Sequence, residues 1–126
     1  MSLHESAEMY LETIYQLSLQ QQCVRSVDVA EALNYSRPSV SRAVGLLKQN
    51  GYLEMDGDGF LNLTELGRST AESIYERHTI LSAALMALGV DQETAAEDAC
   101  KIEHVISEKT LAAIKAHMAQ YGKGTL

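Results

Sequence analysis

Between Tyr52 and Leu63, apolar residues flank Asp56-Gly57-Asp58-Gly59 on both sides, as Tyr52-Leu53-Glu54-Met55 and Phe60-Leu61-Asn62-Leu63. Alternation on either side of a glycine-rich turn predicts a β-hairpin. The residues before it have the period of a helix. Leu3, Ala7, Tyr10, Ile14 and Leu17 recur at spacings of four, three, four and three, which predicts an amphipathic helix to about Gln22. A second, short helix is expected from Arg25 to Leu33, with Ser26 as N-cap, Asp28 in its first turn and Val29, Ala30 and Leu33 inward. Ser36-Arg37-Pro38 reads as a further start, since proline fits the first helical turn, where its missing N–H costs nothing. That third helix should turn Val40, Ala43, Val44 and Leu47 inward and stop near Asn50-Gly51. Three helices followed by a hairpin at these spacings form a winged helix-turn-helix.

The remainder reads as helix. Thr64-Glu65-Leu66-Gly67 opens a long segment through Ile74, His78, Leu81, Leu85 and Leu88, with Gly89 as its stop. Asp91 is expected to cap a fifth helix carrying Ala95, Ala99, Ile102, Val105 and Ile106. Ser107 should cap a sixth, with Leu111, Ile114 and Met118 inward. The predicted class is therefore mainly α with a small β-hairpin, with a winged-helix domain over residues 1–70 and a helical domain over residues 71–126.

Cys100-Lys101-Ile102-Glu103-His104 places a thiol, a carboxylate and an imidazole at offsets 0, 3 and 4, which share one face of a helix. A soft sulfur beside nitrogen and carboxylate suits iron(II) or a similar late divalent metal better than magnesium or calcium. Three donors leave a site unfinished, and Met9, Glu12 and His78 are the candidates to complete it. Each also has an ordinary reading: Met9 as core packing, His78 as a hydrogen-bonded core histidine and Glu12 as a surface charge. Cys100 beside His104 could also make an activated thiol, but no orienting partner or oxyanion donors accompany it, so the metal reading is favoured. Cys23, the other cysteine, reads as a small buried apolar residue.

A net charge of −7 argues at first against a nucleic-acid partner. Its distribution weakens that objection, because residues 24–50 hold four basic and two acidic side chains, whereas residues 72–108 hold two basic and eight acidic ones. The negative charge collects around the candidate metal ligands. On the predicted third helix, Arg42 is long and forked enough for a bidentate contact to guanine. Ser36, Ser39 and Ser41 suit phosphates or either base type, Pro38 suits a thymine methyl, and Arg37 suits phosphate. Arg25, just ahead of the second helix, completes the expected DNA-facing set. The acids Asp56 and Asp58 at the hairpin tip argue against deep insertion of the wing into a groove. No apolar run approaches the ~18 residues of a membrane helix, and MSLHESAEMY lacks the order of a signal peptide, so a cytoplasmic location with free thiols is expected.

Taken together, Glu8-Met9-Tyr10-Leu11-Glu12-Thr13-Ile14-Tyr15, Ser36-Arg37-Pro38-Ser39-Val40-Ser41, Arg77-His78 and Cys100-Lys101-Ile102-Glu103-His104-Val105 resemble the diphtheria toxin repressor and manganese transport regulator family of metal-dependent repressors. The resemblance runs in register from about residue 5 to residue 122. It implies a dimeric, DNA-binding repressor activated by a divalent metal, and not an enzyme. In the iron-responsive branch the corresponding ligands are Met, Cys, Glu and His, kept here as Met9, Cys100, Glu103 and His104. Manganese-responsive members carry carboxylates where Met9 and Cys100 stand, so the resemblance favours iron(II), with manganese(II) as the alternative. Ser82 and Ala96 replace an acid and a histidine of the family's second site, which would leave that site weak, vacant or rebuilt from Glu12, His78 and Glu97. The C-terminal domain resembling an SH3 barrel in longer relatives has no counterpart in this sequence.

The mechanism expected on this reading is a linkage. Metal tying the first helix to the fifth would fix the angle between reading unit and dimerising helices, so that two recognition helices meet the groove ~34 Å apart. Leu85, Leu88, Ile102, Val105 and Ile106 are the expected dimer surface. The alternatives are a winged-helix regulator sensing a small organic ligand in the dimer interface, with Cys100 to His104 merely packed, and a thiol enzyme or redox sensor at Cys100.

Overall fold

The computed structural model describes residues 5–121, without the side chain of Glu5. Leu3 therefore lies outside the described residues. The elements run α1 (Glu5–Gln20), α2 (Ser26–Leu33), α3 (Arg37–Gln49), β1 (Leu53–Met55), β2 (Leu61–Leu63), α4 (Glu65–Ala87), α5 (Gln92–Ile102) and α6 (Glu108–Tyr121). Two compact units divide between Glu72 and Ser73, inside α4.

In the first unit Tyr10, Leu11 and Ile14 of α1, Val29 and Ala30 of α2, and Val40, Val44 and Leu47 of α3 form one buried cluster with Leu53 and Leu61 of the hairpin. Burying a Leu, Val or Ile side chain contributes roughly 1.5–3 kcal/mol, so this cluster is what holds three short helices together. α1 stops at Gln20, two residues earlier than its spacing suggests, and the Gln21 side chain donates to the Cys23 carbonyl (2.8 Å) and to Asp28 (3.2 Å). In this connection Val24 is the residue that turns into the core, and Cys23 is exposed, contrary to the buried role expected of it. The cap of α2 also moves by one position. Arg25 takes the extended N-cap conformation with its N–H donating to Asp28 (2.8 Å), and Ser26 is the first helical residue.

Ser36 caps α3 as its sequence predicts, its Oγ accepting the Ser39 N–H at 3.3 Å, with Pro38 in the first turn. β1 and β2 pair antiparallel with Leu53 opposite Leu63 and Met55 opposite Leu61. The wing is pinned to the helices because the Leu61 N–H donates to the Val24 carbonyl (2.7 Å). Its tip closes on Asp56, whose Oδ1 accepts the N–H groups of Asp58 (2.9 Å) and Phe60 (3.0 Å), so this acid has a structural use.

Among the described residues of the second unit, Ile74 and Leu81 of α4 and Ala95 and Ala99 of α5 are the buried apolar ones. α4 ends where Gly89, at φ +104°, adopts the left-handed conformation that only glycine takes at no steric cost, and the Val90 N–H returns to the Leu85 carbonyl (3.1 Å). Asp91 caps α5 by accepting the Thr94 N–H (3.0 Å), and Ser107 caps α6 by accepting that of Thr110 (3.1 Å). α5 is shorter than its apolar period suggests. It ends at Ile102, leaving Val105 (70% exposed) in the turn that follows and Ile106 in the link to α6. α6 buries no residue fully; Leu111, Ile114 and Met118 are half-buried. Among the described residues no helix is long and apolar enough to cross a membrane.

Candidate metal centre and nucleic-acid interface

The carboxylate of Glu103 is the organising group of the second unit. Glu103 is fully buried, at 0% exposure, just past the last α-helical residue of α5. Its backbone keeps right-handed helical angles (φ −59°, ψ −24°), and its N–H donates to Ala99 (2.9 Å), so the offsets 0, 3 and 4 still converge although the helix has formally ended. The donor atoms of Cys100, Glu103 and His104 all lie within 4.8 Å of one another. His104 Nε2 stands 3.4 Å from Glu103 Oε1, and the His104 side chain is 3% exposed. On the other side of the carboxylate, His78 Nδ1 of α4 lies 3.0 Å from Glu103 Oε2.

A carboxylate taken wholly out of water costs several kcal/mol unless cationic or hydrogen-bonding partners offset it. Glu103 Oε1 accepts no hydrogen bond among the described residues, although the His104 imidazole stands close to it. A divalent cation among one thiol, one carboxylate and one imidazole would supply the missing positive charge, and this donor set fits iron(II) or a metal like it. Cys100, Glu103 and His104 would hold the ion. His78 would either orient Glu103 or join a second ion.

The remaining predicted ligands, Met9 and Glu12, lie one turn apart on α1 in the first unit. Met9 is half-buried, and Glu12 is buried, with Gln16 Nε2 at 3.4 Å from its Oε2. Of the substituted positions, Ser82 has a buried hydroxyl with no hydrogen bond among the described residues, while Ala96 is half-buried and Glu97 is exposed on α5. Arg77, quoted above only as part of the Arg77-His78 motif, makes a contact that sequence reasoning missed. Arg77 Nη1 donates to the backbone carbonyl of Glu103 at 2.9 Å. The available signal was a base adjacent to His78 in a strongly acidic stretch.

In the first unit, the N-terminal half of α3 presents Arg37, Pro38, Ser41 and Arg42 to solvent. Ser36 and Ser39 are spent on each other: the Ser36 hydroxyl donates to Ser39 Oγ (2.8 Å) while accepting the Ser39 N–H. Both hydroxyls thus take part in capping α3. Arg37 and Ser41 line a small hollow of about 170 Å³ with Ser26 and Val27 at the start of α2. The Arg25 guanidinium lies over the Phe60 ring, 4.6 Å from its centroid, which ties the start of α2 to the wing. Burial raises the Tyr10 pKa, with Tyr35 adding to the shift and the positive charge of Arg42 opposing it.

Two family models cover almost the whole sequence. Residues 2–61 match the iron dependent repressor N-terminal DNA binding domain, and residues 64–123 match the iron dependent repressor metal binding and dimerisation domain. The chain belongs to the iron-dependent repressor family. The iron-dependent repressor IdeR of Mycobacterium tuberculosis is 36% identical over 107 residues, which is 84% of this chain and 46% of IdeR. The transcriptional regulator MntR of Salmonella typhimurium is 35% identical over 118 residues, covering 94% of this chain and 75% of MntR. Among solved structures, a manganese-dependent transcriptional repressor in complex with manganese superposes with a TM-score of 0.83 at 27% identity, over 90% of this chain and 52% of that one. The chain thus spans about half the length of the IdeR relatives it matches. Its fold, helices with one small antiparallel sheet in a DNA-binding and a helical metal-binding domain, is the family's.

Proposed function

We propose that this chain is a homodimeric repressor that binds operator DNA when a divalent metal, iron(II) by preference, occupies the Cys100, Glu103 and His104 cluster. The observation that carries the reading is the convergence of those three donors around a carboxylate at 0% exposure. Relatives named for iron and for manganese dependence support metal control in general, and the thiol of Cys100 tilts the choice toward the softer ion. Met9, a thioether, is the proposed fourth ligand, with Glu12 and His78 available to a neighbouring ion. A bound metal would supply positive charge among these donors. The chain's own part is to present Arg42 and Ser41 of α3 to the major groove, with Arg37, Arg25 and the start of α2 against the phosphates. On this reading the domains expected over residues 1–70 and 71–126 are the reading head and the switch.

Leu85, Leu88, Ile102 and Ile106 of the proposed dimer surface line an apolar groove of about 630 Å³ between α4, the end of α5 and α6, and Leu88 is 81% exposed. A groove of that size also lies within the range of small-molecule pockets, which favours an organic-ligand regulator as the second reading. Selection of a duplex from random DNA by protein loaded anaerobically with iron(II) or manganese(II), followed by binding assays on Cys100→Ala and His104→Ala, separates the two. Metal-dependent binding by the wild type that both variants lose supports the proposal. Variants that bind as the wild type does would assign the switch to the groove.

A further inference from the structure

Two consecutive residues of α4 grip Glu103 at its two ends: His78 meets the side-chain carboxylate, and Arg77 meets the backbone carbonyl. This carbonyl belongs to the last turn of α5, where the helix has no N–H of its own to offer, and the backbone then passes directly into His104. A turn that follows a helix end and carries two ligands would fray if left to itself. We infer that Arg77 is a positioning residue of the metal centre, one that fixes the Glu103-His104 turn through the Glu103 carbonyl before metal arrives; this rests on the metal reading above.

The chemistry suits the task. A guanidinium stays protonated and cannot ligate a metal, so Arg77 adds rigidity without competing for the ion. It brings a positive charge to a helix C-terminus, where the exposed carbonyls favour a cation. Its reach across 26 residues of sequence joins the turn to α4, a helix of 23 residues. Partners that orient ligands typically alter metal affinity by about 10- to 100-fold when removed, and Arg77 is expected to fall in that range.

The test compares wild type, Arg77→Met and Arg77→Lys in the full chain, using cobalt(II) as the anaerobic probe. Expected for Arg77→Met are a roughly 10-fold or greater loss of cobalt affinity, weaker thiolate-to-cobalt absorption, and faster amide exchange at residues 103–105 in the metal-free protein with α6 unchanged. Arg77→Lys keeps the charge and one donor and should recover part of each loss. Wild-type affinity, spectrum and exchange in Arg77→Met would overturn the inference. If Arg77→Met does not fold, Arg77→Gln, which removes the charge and shortens the reach to the Glu103 carbonyl, is read in its place, and wild-type values in it would overturn the inference equally. Failure of the wild type itself to bind cobalt would instead sink the metal reading, while the exchange measurement would still report on Arg77.

Discussion

Gly67→Ala is the substitution whose cost follows most directly from the structure. Gly67 is buried in the first turn of α4, and a methyl group there would sit well inside contact distance of the Tyr52 carbonyl oxygen, 3.0 Å from the Tyr52 carbonyl carbon and 3.3 Å from Leu63 Cδ2. The obstacle is backbone, and it is held in place. Tyr52 O accepts the Thr64 N–H (3.1 Å), the Tyr52 N–H donates to Leu47 (2.9 Å), and Thr64 Oγ1 donates to Gly51 (2.7 Å). Overpacking typically costs about 1–3 kcal/mol, and a pinned carbonyl puts this site at the upper end. Alanine's better helix propensity returns about 1 kcal/mol, leaving a net loss of roughly 2 kcal/mol. For cooperative unfolding of a chain this size, that corresponds to a melting temperature lower by about 8 °C. Gly45, on the exposed side of α3 with nothing within 4 Å of an added methyl, is the internal control, and Gly45→Ala should stabilise by about 0.5–1 kcal/mol. Thermal and urea unfolding of both variants measure the pair. A Gly67→Ala protein as stable as Gly45→Ala would refute the claimed backbone approach.

Three further outcomes follow from the second unit. The hydrogen bond from the Thr94 backbone holds the Asp91 pKa below the usual aspartate range, so the stability of its charged form is complete at neutral pH and fades as pH falls through the lowered value. Asp91→Asn, which keeps an acceptor at the cap, should therefore differ least from wild type in acid, as urea midpoints at descending pH would show. The Lys115 to Glu76 ion pair at 3.0 Å is more than half exposed on both sides, so Lys115→Ala should change stability by less than about 0.5 kcal/mol; a larger loss in urea would contradict that reading. Cys100→Asp replaces the soft donor by a hard one and should move metal preference from iron(II) toward manganese(II) in competition titrations, whereas unchanged selectivity would show that Cys100 does not set it.

The helices and hairpin are legible in the sequence because burial imposes a period. Val40, Val44 and Leu47 are inward as spaced, and Ser36 with Pro38 marks a start that the backbone then uses. The same logic overruns the end of α5, because Val105 continues the apolar series but lies in a turn at 70% exposure. Residue type alone points to Ser26 as a cap. Asp28 stabilises the start from within, so Arg25 can take that position. Cys23 departs from what cysteines usually do because its neighbour Val24 fills the inward position. The cluster of Cys100, Glu103 and His104 follows from local spacing alone. The contacts of Arg77 and His78 with Glu103 bridge 26 and 25 residues, and no local period announces a pairing of that separation.

The central claim is that metal and DNA act on one equilibrium, and the most direct measurement is the affinity for iron(II), or manganese(II), titrated anaerobically with and without the selected duplex. The account predicts that DNA tightens metal binding by the same factor by which metal tightens DNA binding, on the order of 5- to 150-fold. Equal metal affinity in the presence and absence of a duplex that the protein binds would contradict it.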